Sequence, residues 1–450
     1  MLYRKIREEL HQWLKKPNRK PLILKGARQV GKTTAVKIFA SQFRQYLYFN
    51  LEKKEDRDIF EQDISFSRLV EAVFFHRDKS ITEASTLLFI DEIQNSPKAI
   101  ESLRYFYEER PELPVIAAGS LLEVMLEKYD LHFPVGRVEY MYMYPLTFHE
   151  YLRGLEESSM VELYMSAVPL PSYAHKKFRS LFHEYIRIGG MPEAVSLYSQ
   201  SRDFHKLGSV YETLMVSYID DAGKYARNNS IYQILRHVIE SAPMEAGNRI
   251  KFQNFGKSNY RSREVGEALR TLERAMLLYL LYPVTSDELP LLPDKRKSPK
   301  LQFVDTGLLT YIAGLTEGLY HFTDLNALYQ GKIAEHIVGQ ELLAAHSRQH
   351  RPPHFWVREK SGSSAEVDFV YEYKGSVIPV EVKAGKTGTL RSLLQYMDET
   401  DVPLAIRLYN DYVYKQTVTT PAGREFILLN LPYYLAGVLE LYIEWALSKL

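Results

Sequence analysis

Five short apolar runs mark the first 145 residues: PLILKG, YLYFNLE, TLLFIDEI, LPVIAAGS and VEYMYMYP. Most are apolar at successive positions rather than alternate ones, the pattern of strands buried on both faces. Helical patterns separate them, so the strands are joined by crossovers and lie parallel. A helical stripe precedes them, with Leu2, Ile6, Leu10 and Leu14 in LYRKIREELHQWL. The expected architecture up to Pro145-LTFHEYL is therefore a parallel sheet covered by helices.

The turn after the first run, Gly26-A-R-Q-V-Gly31-Lys32-Thr33, fits G-x-x-x-x-G-K-[ST]. Glycines let the backbone turn tightly with its N–H groups facing inward, and the following helix points its positive end at an anion. Gly26, Ala27, Arg28, Gln29, Val30, Gly31, Lys32, Thr33 and Thr34 are thus the candidate phosphate contacts. Lys32 would reach the β- and γ-phosphates, and Thr33 would offer a hydroxyl to Mg²⁺. The third run ends in Asp91-Glu92, where Asp91 would hold Mg²⁺ through water and Glu92 would orient or deprotonate the attacking water. Ser120, at the end of VIAAGS, is either a γ-phosphate sensor or a helix cap. Arg137 is the candidate for transition-state charge, in its own chain or from a neighbouring copy of a homo-oligomer. The expected ligands are ATP, ADP and Mg²⁺.

A length of 450 residues exceeds one ordinary core. The net charge of +1 excludes a global field for nucleic acid or membrane and leaves only local patches. The absence of cysteine excludes disulfides, thiolate nucleophiles and cysteine-bound zinc. There is no secretory pattern at the N-terminus and no apolar run of roughly 18–20 residues. A cytoplasmic chain without membrane contact is expected, with LPYYLAGVLELYIEWALSKL a docked terminal helix bearing Glu440 and Glu444 on one face.

The chain divides into segments 1–155, 156–204, 205–318 and 319–450. The second reads as helices broken at Gly189-GMP-Pro192. The third gives helix, turn, longer helix, strand, the basic loop Pro293-DKRKSPK-Lys300 and a returning strand, the order of a winged helix. That loop is either a wing tracking a phosphate backbone or a solvated hairpin tip. Arg263, Arg270 and Arg274 fall on roughly one helix face, suiting DNA or an acidic protein partner. His346, His350 and His354 are spaced by four, but Pro352 and Pro353 break the helix that would align them.

In the last segment Asp368 lies in one strand and Glu381-x-Lys383 in the next. A period of two turns Glu381 and Lys383 to the same face. Asp368 can lie beside Glu381, and an acid on the preceding helix, Glu335 or by helical position Glu341, would complete a Mg²⁺ site. The competing reading is a salt-bridged sheet face.

GARQVGKTT, LLFIDEIQ, AAGSLLE, GRVEYMYMYPLTFHEYL and IRIGGMPEAV, in this order, resemble the bacterial and archaeal AAA-type ATPases of the additional-strand, catalytic-glutamate class. The resemblance implies an α/β P-loop NTPase domain with sheet order 5-1-4-3-2. GGMP is similar to the Gly-x-Pro element of signalling ATPases, which implies a nucleotide contact for Pro192; the competing reading is a proline that starts a helix. SPKLQFVDTGLL and the last segment together resemble the domain of unknown function that accompanies these ATPases. AEVDFV with PVEVK resembles the α/β PD-(D/E)xK nuclease fold, which implies Glu335, Asp368 and Glu381 as metal ligands and Lys383 as their catalytic partner.

Overall fold

The computed structural model describes residues 2–120, 122–124, 133–134, 136–315, 331–345, 350–360, 363–383 and 389–448. The first five strands are β1 (Leu22–Lys25), β2 (Gln45–Asn50), β3 (Thr86–Asp91), β4 (Val115–Gly119) and β5 (Glu139–Tyr142). All pair in parallel in the order 2-3-4-1-5, as expected, with β4 between the two strands that carry the phosphate loop and Asp91. Alternate residues feed opposite faces. Ile23, Leu88, Ile90 and Ala117 pack with Phe49, Phe60 and Phe106 on one side. Leu22, Leu24, Phe89 and Ile116 face the other, where the core continues through Phe148, Tyr185, Leu269, Phe303, Ile337 and Tyr434. One core thus runs through all four sequence segments.

Beyond the helix Phe148–Gly154, started by a capping box of Thr147 and Glu150, the chain is helical to residue 245. The helix Ser262–Arg274 then leads into β6 (Leu278–Leu281), the two-residue β7 (Pro283–Val284) and β8 (Lys300–Phe303). β6 and β8 form the expected returning antiparallel pair, in register from Leu278↔Phe303 to Leu281↔Lys300. The C-terminal sheet adds β9 (His354–Lys360), β10 (Ser363–Tyr373), β11 (Ser376–Val382), β12 (Leu404–Tyr409), β13 (Tyr414–Thr419) and β14 (Glu425–Pro432). Its order is 13-14-12-11-10-9-7, so β7 ties the middle segment to its edge. The boundary expected at residue 319 lies outside the described residues.

The terminal helix Leu439–Leu447 docks as expected: Tyr371 donates to Glu440 at 3.0 Å and Tyr373 to Glu444 at 3.0 Å. Among the described residues no helix is long and apolar enough to cross a membrane.

Close packing marks the point where the helix His175–Ile188 gives way to Gly189-Gly190. A Cβ on Gly190 would sit 2.2 Å from the Leu146 carbonyl oxygen, and one on Gly307 would sit 2.1 Å from that of Ile188. The Leu146 N–H donates to the Gly190 carbonyl at 2.6 Å, so neither backbone can retreat without losing a buried bond. Gly190→Ala is expected to destabilise the protein by roughly 3 kcal/mol. The check is the shift of its thermal unfolding midpoint against wild type, and an unchanged midpoint contradicts the packing described.

Candidate functional site

The phosphate loop joins the C-terminal end of β1 to the helix Lys32–Ala40. Gly31 caps that helix with φ +91°, a conformation that glycine adopts without strain. At the loop's start, a Cβ on Gly26 would lie 2.4 Å from the Met143 carbonyl oxygen. Lys32 is buried, and its ammonium donates to the carbonyls of Gly26 and Ala27, each at 2.9 Å. Burial pushes its pKa down to about 8, a penalty that Glu92 and Asp91 partly offset. The Thr33 hydroxyl donates to Asp91 Oδ2 at 2.7 Å, so the end of β3 and the first turn of the helix meet in one spot. Burial also raises the pKa of Asp91.

Glu92 follows with φ +53°, a left-handed conformation uncommon outside glycine and found often at working sites. Gln94 donates to Glu92 Oε2 at 2.5 Å. The end of β4 presses on Gln94, since a Cβ on Gly119 would lie 2.1 Å from its Oε1. Glu92 is therefore fixed from behind by an amide. A cleft of about 560 Å³ opens over the loop, with Arg28, Lys32, Thr33, Glu92, Ser120 and Pro192 in its lining. Thr33 and Asp91 form a fitting oxygen pair for Mg²⁺ beside it.

Two arginines frame this cleft. Arg28 of the loop pairs with the buried Asp221 of the helix Gly208–Tyr225. Arg4 is buried and bonds the Val30 carbonyl at 2.6 Å, the Tyr144 carbonyl at 2.5 Å and Glu150 at 3.1 Å. Sequence reasoning missed Arg4, because Glu150 and Tyr144 lie some 140 residues away. Arg137 is placed elsewhere. Leu22 pairs with Glu139, so Arg137 precedes β5 at the sheet edge where strands begin, whereas the loop follows strand ends. It pairs with Glu108 at 2.8 Å, and within one chain it does not reach the cleft.

Pro192 is held by the fastening around Asp305. This carboxylate, with no exposed surface, accepts from the N–H of Gly190 at 2.6 Å and of Leu308 at 2.9 Å. Burial pushes its pKa up to about 6, against the pull of those backbone donors. Nearby, the helix Lys332–Ala344 inserts His336, which bonds Phe303 N at 3.1 Å, and Glu341, which accepts from Phe148 N at 2.9 Å and Tyr185 at 2.8 Å. Glu341 is thus part of this joint and not of the distal acid cluster.

That cluster does form. Phe369↔Val380 pairing brings Asp368 beside Glu381, and Asp368 accepts from the Val382 N–H at 2.8 Å. Burial raises the pKa of both Glu335 and Glu381, reinforced by Asp368. The expected metal set of Glu335, Asp368 and Glu381 thus gathers in one cluster, with a lysine in its midst. Among the described residues no three acid or histidine side chains are arranged to hold an ion. Lys300 lies among the acids instead, 3.4 Å from Glu335 and 3.5 Å from Asp368, while Lys383 pairs with Glu381 at 2.5 Å. Burial opposes the Lys300 charge, but Glu335, Asp368 and Glu366 raise its pKa overall. His350 bonds Tyr144 at 3.1 Å and His354 the Tyr282 carbonyl at 3.2 Å, so they do not share an ion; His346 lies outside the described residues.

Residues 18–152 match the family model described as AAA domain. The N-terminal domain is an AAA domain. Residues 179–318 and 330–434 match two domains of unknown function, DUF8612 and DUF4143. The chain is also similar to an uncharacterized protein of Methanocaldococcus jannaschii, at 21% identity over 329 residues. That match takes in 68% of this chain and 65% of the relative, just under two thirds of its length. Three solved structures are similar to this chain at low scores. They are the Thermotoga maritima RuvB Holliday junction branch migration motor (17% identity, TM-score 0.28, 66% of this chain and 93% of that one), C. elegans PCH-2 (14%, 0.29, 45% and 65%) and Aeropyrum pernix Orc1 in complex with DNA (14%, 0.23, 69% and 90%). The P-loop NTPase fold rests on the strand order and the family match.

Glu341, buried beside the AAA domain, has its pKa pushed up to about 7 by burial. A carboxyl raised on folding contributes stability that is full below its unfolded pKa of 4.5 and lost as pH rises through about 7. Between pH 5 and 8 the thermal midpoint of wild type should therefore fall more than that of Glu341→Gln. Parallel slopes for the two proteins would contradict this.

Proposed function

We propose that this protein is a Mg²⁺-dependent ATPase whose nucleotide state is passed to its C-terminal half. The observation that carries the reading is the meeting of Lys32, Thr33 and Asp91 at the ends of β1 and β3, with Glu92 fixed beside them. Backbone N–H groups of the loop and Lys32 would bind the phosphates. Thr33 and Asp91 would hold Mg²⁺, which when bound neutralises phosphate charge. Glu92 would take the proton of the attacking water, with Gln94 keeping its carboxylate in place. Ser120 and Pro192 both line the cleft, where Ser120 would sense the γ-phosphate and Pro192 would contact the nucleotide. Lys32→Ala should lose ATP binding, while Glu92→Gln should bind ATP and turn over about 10²-fold or more slowly. Wild-type hydrolysis by either, measured as phosphate release, contradicts the assignment.

The partner we propose is DNA. Arg263, Arg270 and Arg274, with Arg227, line a groove of about 560 Å³ on the helix Ser262–Arg274, which also holds Glu264 and Glu267. The basic loop contributes less to this reading than the helix. Arg296 pairs with Asp294, Lys297 with Glu359, and Lys300 is buried. The helix–turn–helix order and the β6–β8 pair support a winged-helix architecture, and Asp368 with Glu381-x-Lys383 supports a nuclease-like one. In gel shifts at several salt concentrations, Arg270→Ala should reduce the slope of log affinity against log salt by about one. No DNA retention at low salt would favour the other reading, a slow nucleotide switch that contacts proteins.

A further inference from the structure

Three cations of the middle segment meet the acids of the C-terminal sheet. Arg249 lies 2.8 Å from Glu359 of β9, and Lys297 pairs with the same carboxylate. Lys300, the first residue of β8, goes deepest. It is 5% exposed, and its Nζ lies 2.8 Å from Glu366 Oε1, 3.4 Å from Glu335 Oε2 and 3.5 Å from Asp368 Oδ1. The second Asp368 oxygen accepts from Val382 N and Glu381 Oε1 pairs with Lys383, while Glu381 Oε2 is buried without a hydrogen-bond partner. The ring of Phe355 lies 5.0 Å from the Lys300 ammonium.

Nitrogen-to-oxygen distances of this size are those of an ammonium in an acidic cage, and the carboxylates are turned toward it. A magnesium ion would require its oxygens at about 2.0–2.1 Å and near-octahedral order. It would also have to sit against the positive charge of Lys300 in a buried setting, where like charges repel strongly. The side chains present therefore do not fit the divalent ion that a carboxylate cleavage site requires.

We propose that Lys300 is the resident cation of this cluster. The chain fills the place of a divalent ion with its own ammonium, and the acids serve as an ion-paired joint between β8 and the C-terminal sheet. Removal of the ammonium uncovers a cation site made of Glu335, Asp368 and Glu381. The inference is independent of the nucleotide reading, and its test is kept so by placing Asp91→Asn in every protein.

Mn²⁺ is titrated calorimetrically into the full chain without nucleotide. The Asp91→Asn protein should bind none, and adding Lys300→Met should create one equivalent that a further Glu335→Gln removes. Lys300→Arg, which keeps the charge, should bind none. One equivalent in the Asp91→Asn protein that Glu335→Gln abolishes overturns the proposal, and so does a folded Lys300→Met protein that binds none. Should Lys300→Met fail to fold, the first comparison decides alone: no Mn²⁺ supports the resident ammonium, and one Glu335-dependent equivalent refutes it.

Discussion

The buried carboxylate of Asp305 fastens the wall of the nucleotide cleft to the rest of the protein. It accepts from backbone N–H groups on both sides, Gly190 at the end of one helix and Leu308 at the start of another. The approach is close enough that Gly189, Gly190 and Gly307 leave no room for a Cβ. A buried carboxylate is costly unless its oxygens are bonded, so this contact has one satisfactory arrangement. Pro192 begins the next helix, two residues beyond Gly190, and faces Gly31 across the cleft. Motion of that wall must therefore move Asp305 or break its bonds.

Asp305 also lies two residues beyond β8, the strand that begins with Lys300. One short stretch of chain thus holds the cleft wall at one end and the acid cluster at the other. The helix Lys332–Ala344 lies along it, with Glu335 at the cluster, His336 on Phe303 and Glu341 at the helix that follows β5. Together these contacts join the AAA domain to the C-terminal sheet. The shared hydrophobic core makes the same connection through packing.

The parts legible in the sequence are those whose partners are near or whose spacing has a mechanical cause. The phosphate loop, the Asp91-Glu92 strand end and the facing of Asp368 and Glu381 follow from periods of two residues or from a strand–loop–helix order, whereas the sheet order is implied only by the resemblance to AAA-type ATPases. Arg137 immediately precedes the run VEYMYMYP, and the parallel pairing of β5 with β1 puts it at the end of the sheet away from the loop of its own chain. Glu335 and Glu341 lie six residues apart on one helix, and only tertiary contacts separate their roles. Lys300 reads as a loop-tip cation because its carboxylates lie 35 to 68 residues away. Its signal is subtler: Lys300 and Gln302 are polar residues in a strand buried at every position, and buried polar groups require partners.

The most direct test of the account is to map where nucleotide sits, by photolabelling the full chain with azido-ATP and identifying the modified peptides. The base is expected against the outer walls of the cleft, so label should fall on peptides containing Leu2–Arg4, Ile38 or Pro192–Ser196. Unlabelled ATP with Mg²⁺ should compete it away. Label spread over the surface and insensitive to ATP, or concentrated in residues 350–383, would contradict the placement of the nucleotide site and the role given to its Asp305-held wall.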